Sequence, residues 1–259
     1  MKKIGIMCVT VMCQAMRGIP SQVITALDIY MSRPEQEVER IREELKDARK
    51  LRECFNQLLL FSSGGPEAKR EFKRKFGVSD EAMQKVLLGI IRESSEKTGW
   101  RQRSPSDPQD VRMADFYLRE AIPWLGVCAD SAGKKLLMDI AVDKAKEKEH
   151  RIGAIHAYMY RADVQEARET LTHFLADDTV ASLYVYHSAV WAYSDTEGNS
   201  QKREAIVAVM TSALAQEKEQ DTFIWADKML AERSAEWAGS PQRKAALERF
   251  GKPPAPEVP

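Results

Sequence analysis

Apolar residues recur along most of this chain at alternating steps of three and four, the spacing that gathers them into one stripe on a helix. Ser32-Arg33-Pro34 is a helix-start signal, with proline tolerated in the first turn. Behind it Val38, Ile41, Leu45, Ala48, Phe55 and Leu59 keep the step, interrupted by Arg52, while Glu35, Glu37, Arg40 and Glu44 occupy the other faces. The pattern predicts one amphipathic helix of about 28 residues, roughly 42 Å long. Ser62-Ser63-Gly64-Gly65-Pro66 ends it. Gly77 then reads as a left-handed C-cap and Ser79 as the N-cap of a helix over 80–93. Residues 98–108 (TGWRQRSPSDP) lose the period and concentrate Pro, Ser and Arg, so they read as the main linker or a long interior loop. Asp107-Pro108 opens the next helix. Residues 179–193 (TVASLYVYHSAVWAY) have a strand-like composition, but their length and the common face of Val180, Leu183, Tyr184, His187, Val190 and Trp191 favour a helix.

The second half carries a faint echo. Ala154-Ile155-His156-Ala157-Tyr158 returns as Ala189-Val190-Trp191-Ala192-Tyr193, and Trp191-Ala192 returns as Trp225-Ala226. After each comes a turn and a further amphipathic helix, the first opened by a capping box at Asp163 to Glu166. Helix pairs recurring every 35 to 40 residues or so mark stacked helical hairpins. In period and in small/aromatic placement, residues 131–250 resemble HEAT, armadillo or tetratricopeptide arrays, although the tetratricopeptide consensus Trp-x-x-Leu-Gly-x-x-Tyr is absent. The fold class expected is all-α, as an α-solenoid-like hairpin array or an irregular helical bundle.

At the start of the chain, Lys2 and Lys3 precede an apolar run from Ile4 to Cys13 and a polar break at Gln14. This is the layout of a secretory signal peptide, too short for a membrane span of about 20 residues. Residues 1–16 are therefore expected to be a signal peptide, 17–104 an N-terminal helical region with the long amphipathic helix, 105–250 a helical-repeat-like region, and 251–259 a disordered proline-rich tail. Export implies a periplasmic or secreted product; without cleavage the chain would be cytoplasmic. Cys8 and Cys13 would leave with the signal, and whether Cys54 and Cys128 pair is open at this level.

Charge narrows the partners. The 39 basic residues are balanced by 39 acidic ones, which argues against a body built for nucleic acid or anionic membrane. The four histidines, His150, His156, His173 and His187, form no His-Glu-x-x-His, and there is no Cys-x-x-Cys. Phosphate-loop, dinucleotide and nucleophile-elbow motifs are missing as well. No cofactor, metal or catalytic residue is expected. Asp177-Asp178-Thr179 reads as a helix cap.

The sharpest motif is Phe72-Lys73-Arg74-Lys75-Phe76-Gly77-Val78-Ser79, a basic helix, a glycine turn and a second helix. It resembles helix-turn-helix DNA-binding modules, which implies phosphate contacts from Lys69, Arg70, Lys73, Arg74 and Lys75. Against that, the second helix opens on Asp80-Glu81 and continues with the core-like run Val86 to Ile91. Trp100, beside Arg101 and Arg103, is the candidate binding anchor, since Trp and Arg dominate interface hot spots. The function expected is a non-catalytic exported module binding or scaffolding another protein or peptide. The alternatives are a cytoplasmic helix-turn-helix regulator using residues 66–95, and an enzyme with dispersed catalytic residues.

Overall fold

The computed structural model describes residues 25–60, 65–194, 199–232 and 234–250, without the side chains of residues 191, 194 and 236. The signal-peptide and tail expectations lie outside the described residues. Those residues are helical, with no strand among them.

The expected long N-terminal helix is two helices. After a short α1 (Ala26–Met31), α2 spans Glu35–Leu45 and α3 Ala48–Leu60. The period does not detect the break because Asp47 makes it: its carboxylate accepts from the amides of Arg49 (2.8 Å) and Lys50 (3.2 Å), capping a new helix. Each piece keeps its own stripe. Val38, Ile41 and Leu45 are buried from α2, and Leu51, Cys54, Phe55, Leu58 and Leu59 from α3. Arg52, the interruption in the pattern, points out of the core to Glu93 at 2.6 Å.

Helix α4 (Pro66–Phe76) ends at Gly77, whose φ of +65° is the left-handed cap the sequence implied. Ser79 then caps α5 (Asp80–Thr98) by accepting from the Ala82 amide. Phe55, Phe72 and Trp124 meet edge to face at 5.2 to 6.4 Å and form the centre of this half of the core. The stretch 99–108 is an interior loop, because α5 and α6 (Gln109–Gly126) pack along each other across it.

From there the chain runs through α7 (Ser131–Val142), α8 (Lys148–Arg161), α9 (Val164–Leu175), α10 (Ser182–Ser194), α11 (Ser200–Leu214), α12 (Gln220–Ala231), α13 (Ala235–Ala238) and α14 (Pro241–Phe250). Within 179–193 the chain is helical from Ser182 onward, but the face expected from the sequence is not the one the fold covers: Tyr184 is exposed and Leu183 and His187 are half-buried, while Val185, Tyr186, Ala189 and Val190 are buried. Helices α6, α8, α10 and α12 touch in succession to form one layer, and α9 packs on α11 in a second. The sequence echo has its physical meaning in the first layer. Ala154, Ala157, Ala189, Ala192 and Ala226 are all buried, and small side chains there let the helices approach closely. One core cluster runs through both halves of the described chain.

Candidate functional site

The residues singled out by sequence are largely engaged by the protein itself. Lys69 is buried, its ammonium 5.6 Å from the Trp124 ring, and desolvation pushes its pKa down to about 8 against the pull of Glu120. Lys73 pairs with Asp80 at 2.6 Å, Lys75 donates to the carbonyls of Met31 and Arg33, and Arg74 faces Glu71 at 3.7 Å. Arg70 is half-buried, with Glu67 and Tyr160 near it. These five cations do not line up as a free basic stripe.

Trp100 is half-buried and held in the left-handed region (φ +61°) directly after Gly99 (φ +60°). Its carbonyl accepts from the Glu147 amide at 2.8 Å and its ring stands edge-on to His150, under the Lys146 ammonium at 4.4 Å. Arg101 closes back on Asp107 in a two-pronged pair (3.0 and 2.6 Å), and Arg103 is exposed on the same loop. The structure thus brings Trp100 to a buried charge cluster and leaves the two arginines on the loop.

That cluster joins α6 to α8. His150 is fully buried and its Nε2 lies 3.1 Å from Asp115 Oδ1, off the alignment of a hydrogen bond. Arg119 holds the other oxygen of Asp115 at 2.9 Å and also pairs with Glu149. Glu147 caps α8 from below by accepting from the Glu149 and His150 amides. Burial lowers the His150 pKa, with Asp115 and Glu147 pulling the other way. These pairs tie α6 to α8.

His156 and His187 lie on the first layer. His187 stacks on Trp225 (3.9 Å between ring centres, 14° between planes). Burial, then the nearby His187 and Lys69, push the His156 pKa down to about 4. The sign follows. In the window from about 6.5 down to about 4 the unfolded chain binds the His156 proton and the folded one does not, so stability falls on acidification. Between pH 7 and pH 5 the expected loss from this group is about 1–2 kcal/mol. Urea unfolding at the two pH values checks it, and His156→Gln should flatten the difference.

Cys54 and Cys128 are free, buried thiols, so neither pairs with the other. Desolvation pushes them up to about 11 and about 12. Because the thiolate is the reactive form, iodoacetamide at pH 8 should leave both unmodified in the native chain and modify both in urea, as read by peptide mass mapping.

A surface cleft of about 930 Å³ lies between α9 and α11. Its floor is apolar: Leu175, Val209 and Ala213 each pack on the core with one side and face the cleft with the other. Asp178, Glu217 and Glu219 make an acidic rim, with Arg168 and Lys218 as its cations. Sequence places the walls through caps: Asp163 and Glu166 form the capping box of α9, and Asn199 accepts from the Lys202 amide at the start of α11.

Each lip is fixed by groups that sequence reasoning missed. At the α9–α10 turn the buried Arg151 donates to the Ala141 carbonyl (2.8 Å), to Thr179 Oγ1 (2.8 Å) and to Asp177 (2.9 Å). Asp177 also accepts from the Thr179 amide and hydroxyl and pairs with Lys144 at 3.3 Å. Asp177 is therefore the anchor of a buried ion pair, which corrects its reading as a helix cap. The opposite lip, the α11–α12 loop, is stitched to the last turn of α14. Arg249 donates to the carbonyls of Ala215 (3.2 Å) and Glu217 (2.6 Å), Gln220 donates to that of Phe250 (3.1 Å), and Phe250 stacks on Phe223.

No histidine or cysteine is among the described residues that line this cleft. Among the described residues no three His, Cys, Asp or Glu side chains are grouped to hold a metal, and no helix is long and apolar enough to cross a membrane. No family model, curated protein or solved structure matches the chain.

Proposed function

We propose that this chain is a non-catalytic binding module for a protein or peptide, and that the ligand lies in the cleft between α9 and α11. The observation that carries the reading is the half-exposed apolar floor of Leu175, Val209 and Ala213 between two braced lips. A concave, largely preformed groove with charged edges suits an extended peptide better than a flat surface does. The succession of helix contacts supports the helical-repeat reading of residues 131–250, in the manner of HEAT, armadillo or tetratricopeptide arrays, whose stacked hairpins present extended binding surfaces. The test is a random peptide library screened against the full chain and against Ala213→Trp, which fills the floor. Binders lost on filling support the cleft; a library without binders, or binders indifferent to the substitution, overturns it.

The Lys2-Lys3 start and the apolar run after it support export as the setting of that binding. Expressed in a Gram-negative host, the chain should appear in the periplasm lacking about 15–20 residues by intact mass. An uncleaved cytosolic product overturns the export reading and leaves the cleft reading standing.

A further inference from the structure

We infer that residues 99–108 form an acid-released strap, latched through Trp100 onto His150 near neutral pH and freed when the His150 ring takes a second proton. Release frees the Trp100 ring beside Arg101 and Arg103. No residue lining the α9–α11 cleft takes part.

The His150 ring is fully buried, yet neither of its nitrogens is hydrogen-bonded. A carboxylate faces each one. Asp115 Oδ1, itself without a hydrogen bond, lies 3.1 Å from Nε2, and Glu147 Oε2 lies 3.9 Å from Nδ1. A neutral imidazole can offer its proton to only one of these acids and turns a lone pair toward the other. A second proton gives both carboxylates a donor, at the cost of a charge where water is excluded.

The neighbouring charges are committed elsewhere. Arg119 of α6 is shared between Asp115 and Glu149, and Lys146 pairs with Asp143 at 3.2 Å. Arg151, the next residue of α8, is held by Asp177. On the helices packed against α8, Lys134 and Lys135 of α7 pair with Glu166 of α9 and with Asp139. Helix α10 has no acidic or basic residue except His187, which stacks on Trp225.

Trp100 is laid against this site and is itself only half-buried. Its ring stands edge-on to His150 at 5.6 Å between centres, with the Lys146 ammonium 4.4 Å from its own centre. Its φ of +61° is a conformation that a residue with a β-carbon keeps only where contacts hold it. One such contact is the bond from the Glu147 amide to the Trp100 carbonyl, at 2.8 Å. Glu147 thus joins strap to ring. Its amide holds Trp100, while its carboxylate accepts from the His150 amide at 3.2 Å and faces Nδ1. A proton on Nδ1 draws that carboxylate toward the ring and disturbs the residue that holds Trp100.

Linkage sets the direction. Under the strap, burial keeps His150 below the ordinary imidazole value, against the pull of Asp115 and Glu147. With the strap released the ring regains water and the ordinary value of about 6.5. Between that value and the lower one the released form binds more protons, so acidification favours release.

Fluorine NMR of the full chain labelled with fluorotryptophan, titrated from about pH 7.5 to about pH 5, tests this. The Trp100 signal, assigned with Trp100→Gly, should move toward its solvent-exposed position as His150 titrates. The released fraction should rise about threefold or more. Trp124 and Trp237, both in the core, should stay in place. His150→Gln should leave the Trp100 signal independent of pH. In Trp100→Gly, proton NMR of the histidine rings should show the His150 midpoint moved up toward the ordinary value. Glycine suits the φ at position 100, so this arm remains if His150→Gln fails to fold. A Trp100 signal that stays still, or that moves equally in His150→Gln, overturns the proposal. So does a His150 midpoint unchanged in Trp100→Gly. Movement of Trp100, Trp124 and Trp237 together also overturns it, because general unfolding then accounts for the change.

Discussion

Gly126→Ala is expected to destabilise the protein by about 2–3 kcal/mol, lowering the midpoint of thermal unfolding by roughly 5–10 °C. A β-carbon at position 126 would lie 2.6 Å from the Ala157 carbonyl oxygen and 2.8 Å from its α- and β-carbons. Those atoms are mostly backbone, so no rotamer change can make room, and α6 must move off α8. Gly153→Ala is the internal control. Its β-carbon would meet only the Ile122 methyl at 3.7 Å, an ordinary contact, and alanine in a helix interior should add about 0.5–1 kcal/mol. Opposite signs from two glycines near the same pair of helices would identify close approach, rather than helix propensity, as the reason for Gly126. A stability change within error at Gly126 would show that the two helices are not held at this distance.

Arg151→Met should cost about 3–4 kcal/mol, because it leaves the Ala141 carbonyl without its donor and Asp177 short of a buried partner. Lys144 remains beside Asp177 and limits the loss. In the double variant Arg151→Met with Asp177→Asn, the costs should sum to less than the two singles together, since the orphaned charge is gone. Additive costs would mean that the two side chains are not coupled. Asp177 also sets an acid limit. Hydrogen bonds from Thr179, with Lys144 and Arg151 behind them, hold its carboxyl well below the usual carboxylate range. The stability this confers is complete above the unfolded value near 4 and is lost as pH falls toward the folded one. Asp177→Asn should remove that part of the acid dependence. Because the same turn forms a lip of the cleft, the peptide binding proposed for that cleft should weaken in both single variants.

Legibility followed sequence distance. The Gly77 and Ser79 caps, the Asp163 box and a helix within 179–193 rest on neighbours within one or two turns, and each is present in the fold, the last from Ser182. The split between α2 and α3 was readable in principle from Asp47, but the apolar stripe continued on both sides and concealed it. The Arg151–Asp177 pair had no such signal, because its partners are 26 residues apart and an aspartate before a helix looks like a cap. The cleft was equally invisible: Leu175, Val209 and Ala213 are ordinary stripe residues, and only the placement of α9 against α11 leaves them half-covered.

By itself the sequence determined that the fold is all-α, where several of the helices begin or end, and that small residues recur along its second half. Those features depend on backbone hydrogen bonds and side-chain periods that act within a few residues. The tertiary structure alone decided that Trp100 packs edge-on against His150, that Lys69 is buried over Trp124, and that a braced cleft opens beside the last helix. Those outcomes depend on which helix faces meet, which is settled by packing between residues tens of positions apart and leaves no periodic trace in the chain.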